Sequence, residues 1–286
     1  MKAALQLHPS KVTRRYLEEL VYPALLANGV KHYLLPKRHD GDVELEKGTD
    51  FLIVIGGDGT FLSGAKVAVQ YGVPVVGVMT GRLGFLCNVS IEEFPDVVKR
   101  IAEGKVPVET RSILEGTVHS SGEEDETHLA VNDVVVYRTG SHRIREFVAT
   151  DNDKLVARYR GDGIIISSST GSTAYTLAAG GPLLHPQLDA IVLSPICAHS
   201  LFTKPLVLPP DNRVTIRGAR GSYPLMVSFD GGHRVKLNSG DSISVVSYSQ
   251  RLLVYKPHDE DFYEVLREKF QHGYLYGGED AEKDQH

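Results

Sequence analysis

The chain has 286 residues, 42% of them hydrophobic and 23% charged, with a formal net charge of -5. It is long enough for one large or two medium domains, and its scattered Lys and Arg form no basic stripe of the kind nucleic acid requires. No apolar run approaches the roughly 20 residues that span a bilayer, and Cys87 and Cys197 stand outside any C-x-x-C pattern, which argues against a disulfide framework or a structural zinc and fits a reducing, cytoplasmic setting.

In chain order, "VTRRYLEELVYPALLANG" carries apolar residues at helical spacing and stops at Gly29, a natural C-cap. "FLIVI" is a short β-rich run suited to a strand buried on both faces, and "FLSGAKVAVQYG" predicts a helix closed by Gly72. The second buried strand, "VPVVGVM", completes a βαβ unit and implies a parallel sheet. "IEEFPDVVKRIAEG" predicts one more amphipathic helix. Beyond Lys105 the pattern becomes all-β, with "LEGTVHS", "AVNDVVVYR", "KLVARYR", "RVTIRG", "PLMVSFDG", "SISVVSY" and "RLLVYK" set between turn residues. "DEDFYEVLREKF" predicts a last helix, and the acidic stretches "SGEEDE" and "GGEDAEKD" read as a solvated loop and a frayed tail. The expectation is an α/β, Rossmann-like domain over 1–104 and a β-rich, sandwich-like domain over 105–256. A helix and tail over 257–286 are expected to return to the first domain.

Four stretches stand out chemically. In "GGDGT" (56–60) a buried strand meets a glycine turn and a helix start, which aims backbone N–H groups at an anion site. It is neither of two familiar phosphate loops: the Rossmann fingerprint needs Gly where Leu62 stands, and a Walker loop needs Lys-Ser/Thr where Ala65-Lys66 stand. Beside phosphates, Asp58 is repulsive unless it takes a proton or helps hold Mg²⁺; shaping the turn is the other reading. "RGDGIIISSSTGSTAYTLAAGGP" (160–182) brings many hydroxyls to a strand-to-helix junction suited to a polar ligand, or to a Ser-rich surface turn. Asn132 and Asp133 interrupt an apolar strand, as a ribose- and base-binding pair or as a bulge. "SFDGG" (228–232) reads as a hairpin turn and nothing more. The histidines show no metal-ligand spacing.

Taken together, "GGDGT", "GRLGFL" (81–86), "VNDVVV" (131–136), "GDGIIIS…TGSTAY" (161–175), "AGGPLLHP" (179–186), "SPICAHSL" (194–201) and "FDG" (229–231) resemble the NAD kinase family, in the family's order. "GGDGT" alone is shared with diacylglycerol and sphingoid kinases; the "TGSTAY" block is not. The resemblance implies transfer of a phosphoryl group to the 2′-hydroxyl of the adenosine ribose of NAD. ATP or polyphosphate is the implied donor, with Mg²⁺ or a similar cation, in a homodimer or homotetramer. By motif, Asp58 is the implied general base, with Gly57, Gly59 and Thr60 on the phosphate side. The resemblance also implies that Asn132 and Asp133 hold NAD hydroxyls and base edges, that Thr170, Thr173, Ala174, Tyr175 and Ala178 line the dinucleotide pocket, that Asp162 and Arg160 meet the nicotinamide half, and that Phe85 and Arg143 add contacts.

The chain departs from the family at three places. Ser168-Ser169 replace the usual Thr-Pro, Met79 stands where many members have Asn, and Asp133 replaces the commoner Glu. A non-catalytic NAD(P)-binding regulator on the same fold and a lipid or sphingoid kinase are the alternatives. The second lacks support because the "TGSTAY" block is present.

Overall fold

The computed structural model describes all residues except 37–42, 82, 83, 88, 123, 141–143, 200–202, 220–223, 259–261 and 276–286, and the side chains of 271–275. The first sheet is built on parallel strands Lys31–Leu34, Lys2–Leu7, Phe51–Gly56 and Val75–Met79, adjacent in that order, with Val89–Ser90 pairing parallel to Val75–Met79. Phe51–Gly56 is buried at every position, as its unbroken apolar run predicts. Helix Asp58–Tyr71 returns over the sheet and ends on Gly72 in the left-handed conformation (φ 64°). The expected first helix is helical from Arg14 to Ala27, but a π-helical stretch, Leu17–Val21, interrupts it just before Pro23. Proline lacks the N–H that a regular α-helical ladder needs at that point.

Two strands from the expected β-rich region belong to this first sheet. Leu252–Tyr255 pairs parallel to Val75–Met79, and Val108–Arg111 pairs antiparallel to Leu252–Tyr255. Their periodicity is that of any strand, so only pairing distinguishes them from their neighbours in the sequence. Between them the chain forms two six-stranded antiparallel sheets. Their inner faces enclose a core that includes Leu114, Phe147, Ile164, Ile166, Val227, Phe229 and Ile243. The C-terminal helix, Phe262–Leu275, sets the Phe262 ring 5.3 Å from His185 of the β-rich part and Lys269 Nζ 5.6 Å from the Phe85 ring centre of the α/β part.

Helix Asp58–Tyr71 lies very close to the sheet at Gly64. A Cβ there would come within 2.5 Å of Val54 Cγ2 and 2.9 Å of Gln6 Oε1. Alanine is the better helix former by about 1 kcal/mol, so propensity and packing oppose one another at this position. Packing wins in this account: Gly64→Ala lowers stability by about 1–3 kcal/mol, measured by urea unfolding, and a stabilised variant contradicts the close approach.

Candidate active site

Two topological facts assemble the site. In the parallel sheet, strands Phe51–Gly56 and Val75–Met79 run together, so the loops that follow them, carrying Asp58 and residues 84–87, meet at the carboxyl edge of the sheet, where open α/β sheets bind ligands. In the sandwich, strand Asp133–Arg138 lies between Gly163–Ser168 and Leu225–Phe229, antiparallel to both. Its first residues therefore face the ends of its neighbours: Asp133 is opposite Ser167, and Val134 is opposite Phe229. One end of this sheet thus gathers Asn132, Asp133, the Ser-rich turn and the Asp230 turn.

Asp58 is the first residue of its helix, after an extended Gly57 (φ -123°). Its carboxylate accepts three backbone hydrogen bonds from one loop: Phe85 N–H at Oδ2 (3.0 Å), and Leu86 and Cys87 N–H at Oδ1 (3.2 and 3.1 Å). Gly84 makes room for this clasp, since a Cβ there would sit 2.0 Å from Asp58 Oδ1. The Cys87 thiol, buried beside this charge, has its pKa pushed up, first by burial and then by Asp58. Gly57, Asp58, Gly59 and Thr60 border a cleft of ≈ 490 Å³ together with His8, Lys11 and Ser63.

A larger cavity of ≈ 860 Å³ is bordered by Asn132, Asp133, Asp162, Ala174, Tyr175 and Asp230, among others. Asp230 holds it together. At φ 50° and followed by Gly231 at φ 68°, it forms the tight hairpin turn that "FDG" predicts. Its carboxylate also accepts the N–H groups of Val131 (3.0 Å), Asn132 (2.8 Å) and Asp133 (3.2 Å), and pairs with Lys66 Nζ at 2.9 Å. Lys66 comes from the helix that Asp58 begins, so this ion pair ties the first sheet's helix to the sandwich. Burial pushes the Asp133 carboxyl up to about 7; the neighbouring Asp230 charge adds to the rise and Lys66 opposes it. Tyr175, 44% exposed, borders the same cavity, and its phenol pKa is raised first by burial and then by Cys197, Asp133 and Asp162.

A third, smaller cavity of ≈ 160 Å³ adjoins the clasp and is bordered by Gly84, Phe85, Ser169, Thr170, Thr173 and His185, among others. Ser169 Oγ and Thr170 Oγ1 are buried here without a protein hydrogen-bond partner, the signature of a surface completed by water or ligand. Ser168 has a structural part: its hydroxyl donates to Val131 O (2.6 Å) and accepts from Gly171 N–H (3.1 Å), joining the Ser-rich turn to the Asn132 segment. Met79 packs as an apolar residue at the end of its strand.

Two expected residues stand apart, and a third cannot be placed among the described residues. Arg160 is exposed and Ala178 is exposed at the end of the short helix Tyr175–Ala178; neither borders these three cavities. Arg143 lies outside the described residues. Asp162 does reach the large cavity, but its arginine partner is Arg138 (Nε to Oδ1, 2.7 Å). Sequence reasoning missed the roles of Asp230 and Lys66. The available signals were a third Asp-Gly turn and a single charged side chain among residues 59–71.

The ATP-NAD kinase N-terminal domain model matches residues 5–106, and the ATP-NAD kinase C-terminal domain model matches residues 131–256. A NAD kinase from Magnetococcus marinus is 38% identical over 226 residues, covering 79% of this chain and 75% of that protein. The chain belongs to the NAD kinase family. Two solved structures share the fold at 24% identity. Yeast NADH kinase complexed with NADH superposes with a TM-score of 0.82, covering 98% of this chain and 88% of that one. An Archaeoglobus fulgidus NAD kinase in complex with ATP gives 0.74, covering 95% and 98%. Both domain models are those of NAD kinases, which removes the lipid-kinase alternative. Among the described residues no helix is long and apolar enough to cross a membrane.

The Asp133 carboxyl has a signed consequence. Its folded pKa of about 7 lies above the ordinary 3.8, so between these values the folded chain holds a proton that the unfolded chain has lost. Stability from this group is therefore full below 3.8 and is lost as pH rises toward 7. Asp133→Asn removes that loss. In nucleotide-free protein, the Tm of the variant relative to wild type rises across this pH window and levels off above it; a pH-independent difference contradicts the assignment.

Proposed function

We propose that this chain phosphorylates the 2′-hydroxyl of the adenosine ribose of NAD to give NADP, with ATP as donor and Asp58 as the general base. The observation that carries the reading is the three-donor clasp on Asp58 beside a glycine turn, in a chain of the NAD kinase family. An ionised carboxylate offers about four lone-pair sites. Two at Oδ1 and one at Oδ2 are taken by the loop, which leaves Oδ2 as the atom to accept a proton. In the proposed step the ribose oxygen attacks the γ-phosphorus, the bond to ADP breaks, and the hydroxyl proton passes to Asp58 Oδ2. Positioning and charge stabilisation are what such a transfer asks of a protein.

The glycine turn and the helix start at Asp58 offer backbone N–H groups to the donor phosphates, with Lys11 and His8 at the border of the same cleft. Asn132, Asp133, Ala174 and Tyr175 on one side, and Phe85, Thr170 and Thr173 on the other, are assigned to the dinucleotide. Mg²⁺ enters as part of the donor. Among the described residues Asp58 is the one carboxylate bordering the donor cleft and is already held by three N–H groups, so the phosphates themselves would be the natural metal ligands. The ATP and NADH carried by the two structural neighbours are consistent with both assignments.

Free Cys87 and Cys197 accord with a cytoplasmic setting. We infer self-association as a homodimer or homotetramer through the outermost strands of the two sandwich sheets, which expose Leu155, Leu206 and Val207. A monomer mass by light scattering contradicts that inference.

The reaction is tested by NADP formation from NAD with Mg²⁺ and ATP, with Mg²⁺ and polyphosphate, and with no donor, beside Gly84→Ala. Wild type turns over with ATP. The Gly84→Ala methyl displaces the Asp58 carboxylate, so kcat falls by about 100-fold or more. No turnover with any donor, in protein that binds NAD, contradicts the reading and leaves the regulator in its place.

A further inference from the structure

We propose that Glu126, His128 and His233 form a binding site for a zinc-class divalent cation that clips together the two sheets of the sandwich. The site is separate from the nucleotide cavities and does not rest on the proposed reaction. Glu126 and His128 are two apart on strand Glu126–Ala130, so their side chains leave the same face. That strand is one of the two edges of its sheet, opposite the edge that exposes Leu155, and His233 directly precedes Arg234–Leu237, the edge of the other sheet opposite the one that exposes Leu206 and Val207. The two open edges meet here.

The donor atoms converge. His128 Nε2 lies 2.6 Å and His233 Nε2 3.0 Å from the same Glu126 Oε1, and the three lie within 4.8 Å of one another. The imidazole centroids are 4.0 Å apart. Behind them the fully buried Phe229 ring stands 5.0 Å from His128 and 6.3 Å from His233, fixing one wall, while the ligand side chains are 29–50% exposed and open to entering ions. As built, two imidazole nitrogens share one carboxylate oxygen. A metal ion replaces that shared contact with a bond from each of the three groups.

The donor set chooses the ion. Two imidazoles and a carboxylate suit Zn²⁺, Co²⁺, Ni²⁺ or Cu²⁺, with a fourth position left for water. Mg²⁺ and Ca²⁺ require oxygen ligands that this cluster does not supply. Position gives the site a consequence. Strand Glu126–Ala130 runs directly into residues 131–133, and His233 closes the hairpin whose Asp230 holds the N–H groups of those same residues. An ion here fixes both partners of the Asp230 clasp and stabilises the fold around the large cavity.

The test uses the full chain, treated with chelator and titrated with Zn²⁺ by calorimetry, and separately with Co²⁺ followed by its visible absorption. One equivalent of Zn²⁺ binds and raises Tm, the Co²⁺ spectrum is that of a four-coordinate site, and Mg²⁺ does neither. His128→Gln and His233→Asn each weaken Zn²⁺ binding by about tenfold or more, and the double variant abolishes the stoichiometric site while its metal-free Tm stays near wild type. No saturable uptake by the wild-type chain overturns the proposal. So does uptake that survives in the double variant, which assigns the metal to other histidines.

Discussion

The site depends on one carboxylate held by three backbone N–H groups. Asp58 belongs to the loop after one parallel strand, and Phe85, Leu86 and Cys87 belong to the loop after its neighbour. Charge-assisted hydrogen bonds of this kind are about twice as strong as neutral ones. Three of them on one side chain make the two loops a single body. The arrangement also explains why the structural and chemical readings of Asp58 need not compete. The loop takes three of the carboxylate's lone-pair sites, shapes the turn with them, and leaves a fourth aimed by the other three.

A second carboxylate does for the sandwich what Asp58 does for the parallel sheet. Asp230 caps residues 131–133 and binds Lys66 from the helix of Asp58. Its side chain is nearly inaccessible while that of Lys66 is 27% exposed, so the pair is partly shielded from solvent screening, and removing one partner leaves a buried charge unmatched. Helix Asp58–Tyr71 is therefore tied to the loop of Phe85, Leu86 and Cys87 at its first residue and to the Asp230 turn two helical turns later. The relative placement of the two halves is fixed through one element. The cost of crowding acids together appears at Asp133, whose carboxyl is driven up to about 7 by burial first and by Asp230 second.

Much of this was legible in the sequence because it depends on local pattern. The apolar run into "GGDGT", the helix closed by Gly72 and the alternation beyond Lys105 each name their element from nearest neighbours alone. What was not legible depends on pairing. Val108–Arg111 and Leu252–Tyr255 have ordinary strand patterns, and nothing local says that they close the first sheet rather than the sandwich. "SFDGG" announces its hairpin through two residues with positive φ, but the three N–H groups that Asp230 accepts lie almost a hundred residues earlier. The polar pair Asn132-Asp133 was visible as an interruption; its partner was not. Arg160 and Arg138 illustrate the same limit. The sequence set Arg160 near Asp162, while the arginine that pairs with the Asp162 carboxylate, Arg138, comes from a neighbouring antiparallel strand and carried no local signal.

The most direct test of the central claim separates holding from proton transfer at Asp58. Replacement by Asn keeps an oxygen for Leu86 and Cys87 but turns an NH₂ toward the N–H of Phe85, so melting temperature and NAD affinity must be measured beside turnover. The account predicts that Asp58→Asn retains NAD affinity within a few-fold, melts somewhat lower, and loses about 100-fold or more in kcat, as expected when a positioned base is removed. A folded Asp58→Asn protein that binds NAD and makes NADP at close to the wild-type rate contradicts it, and reduces Asp58 to a residue that only holds two loops together.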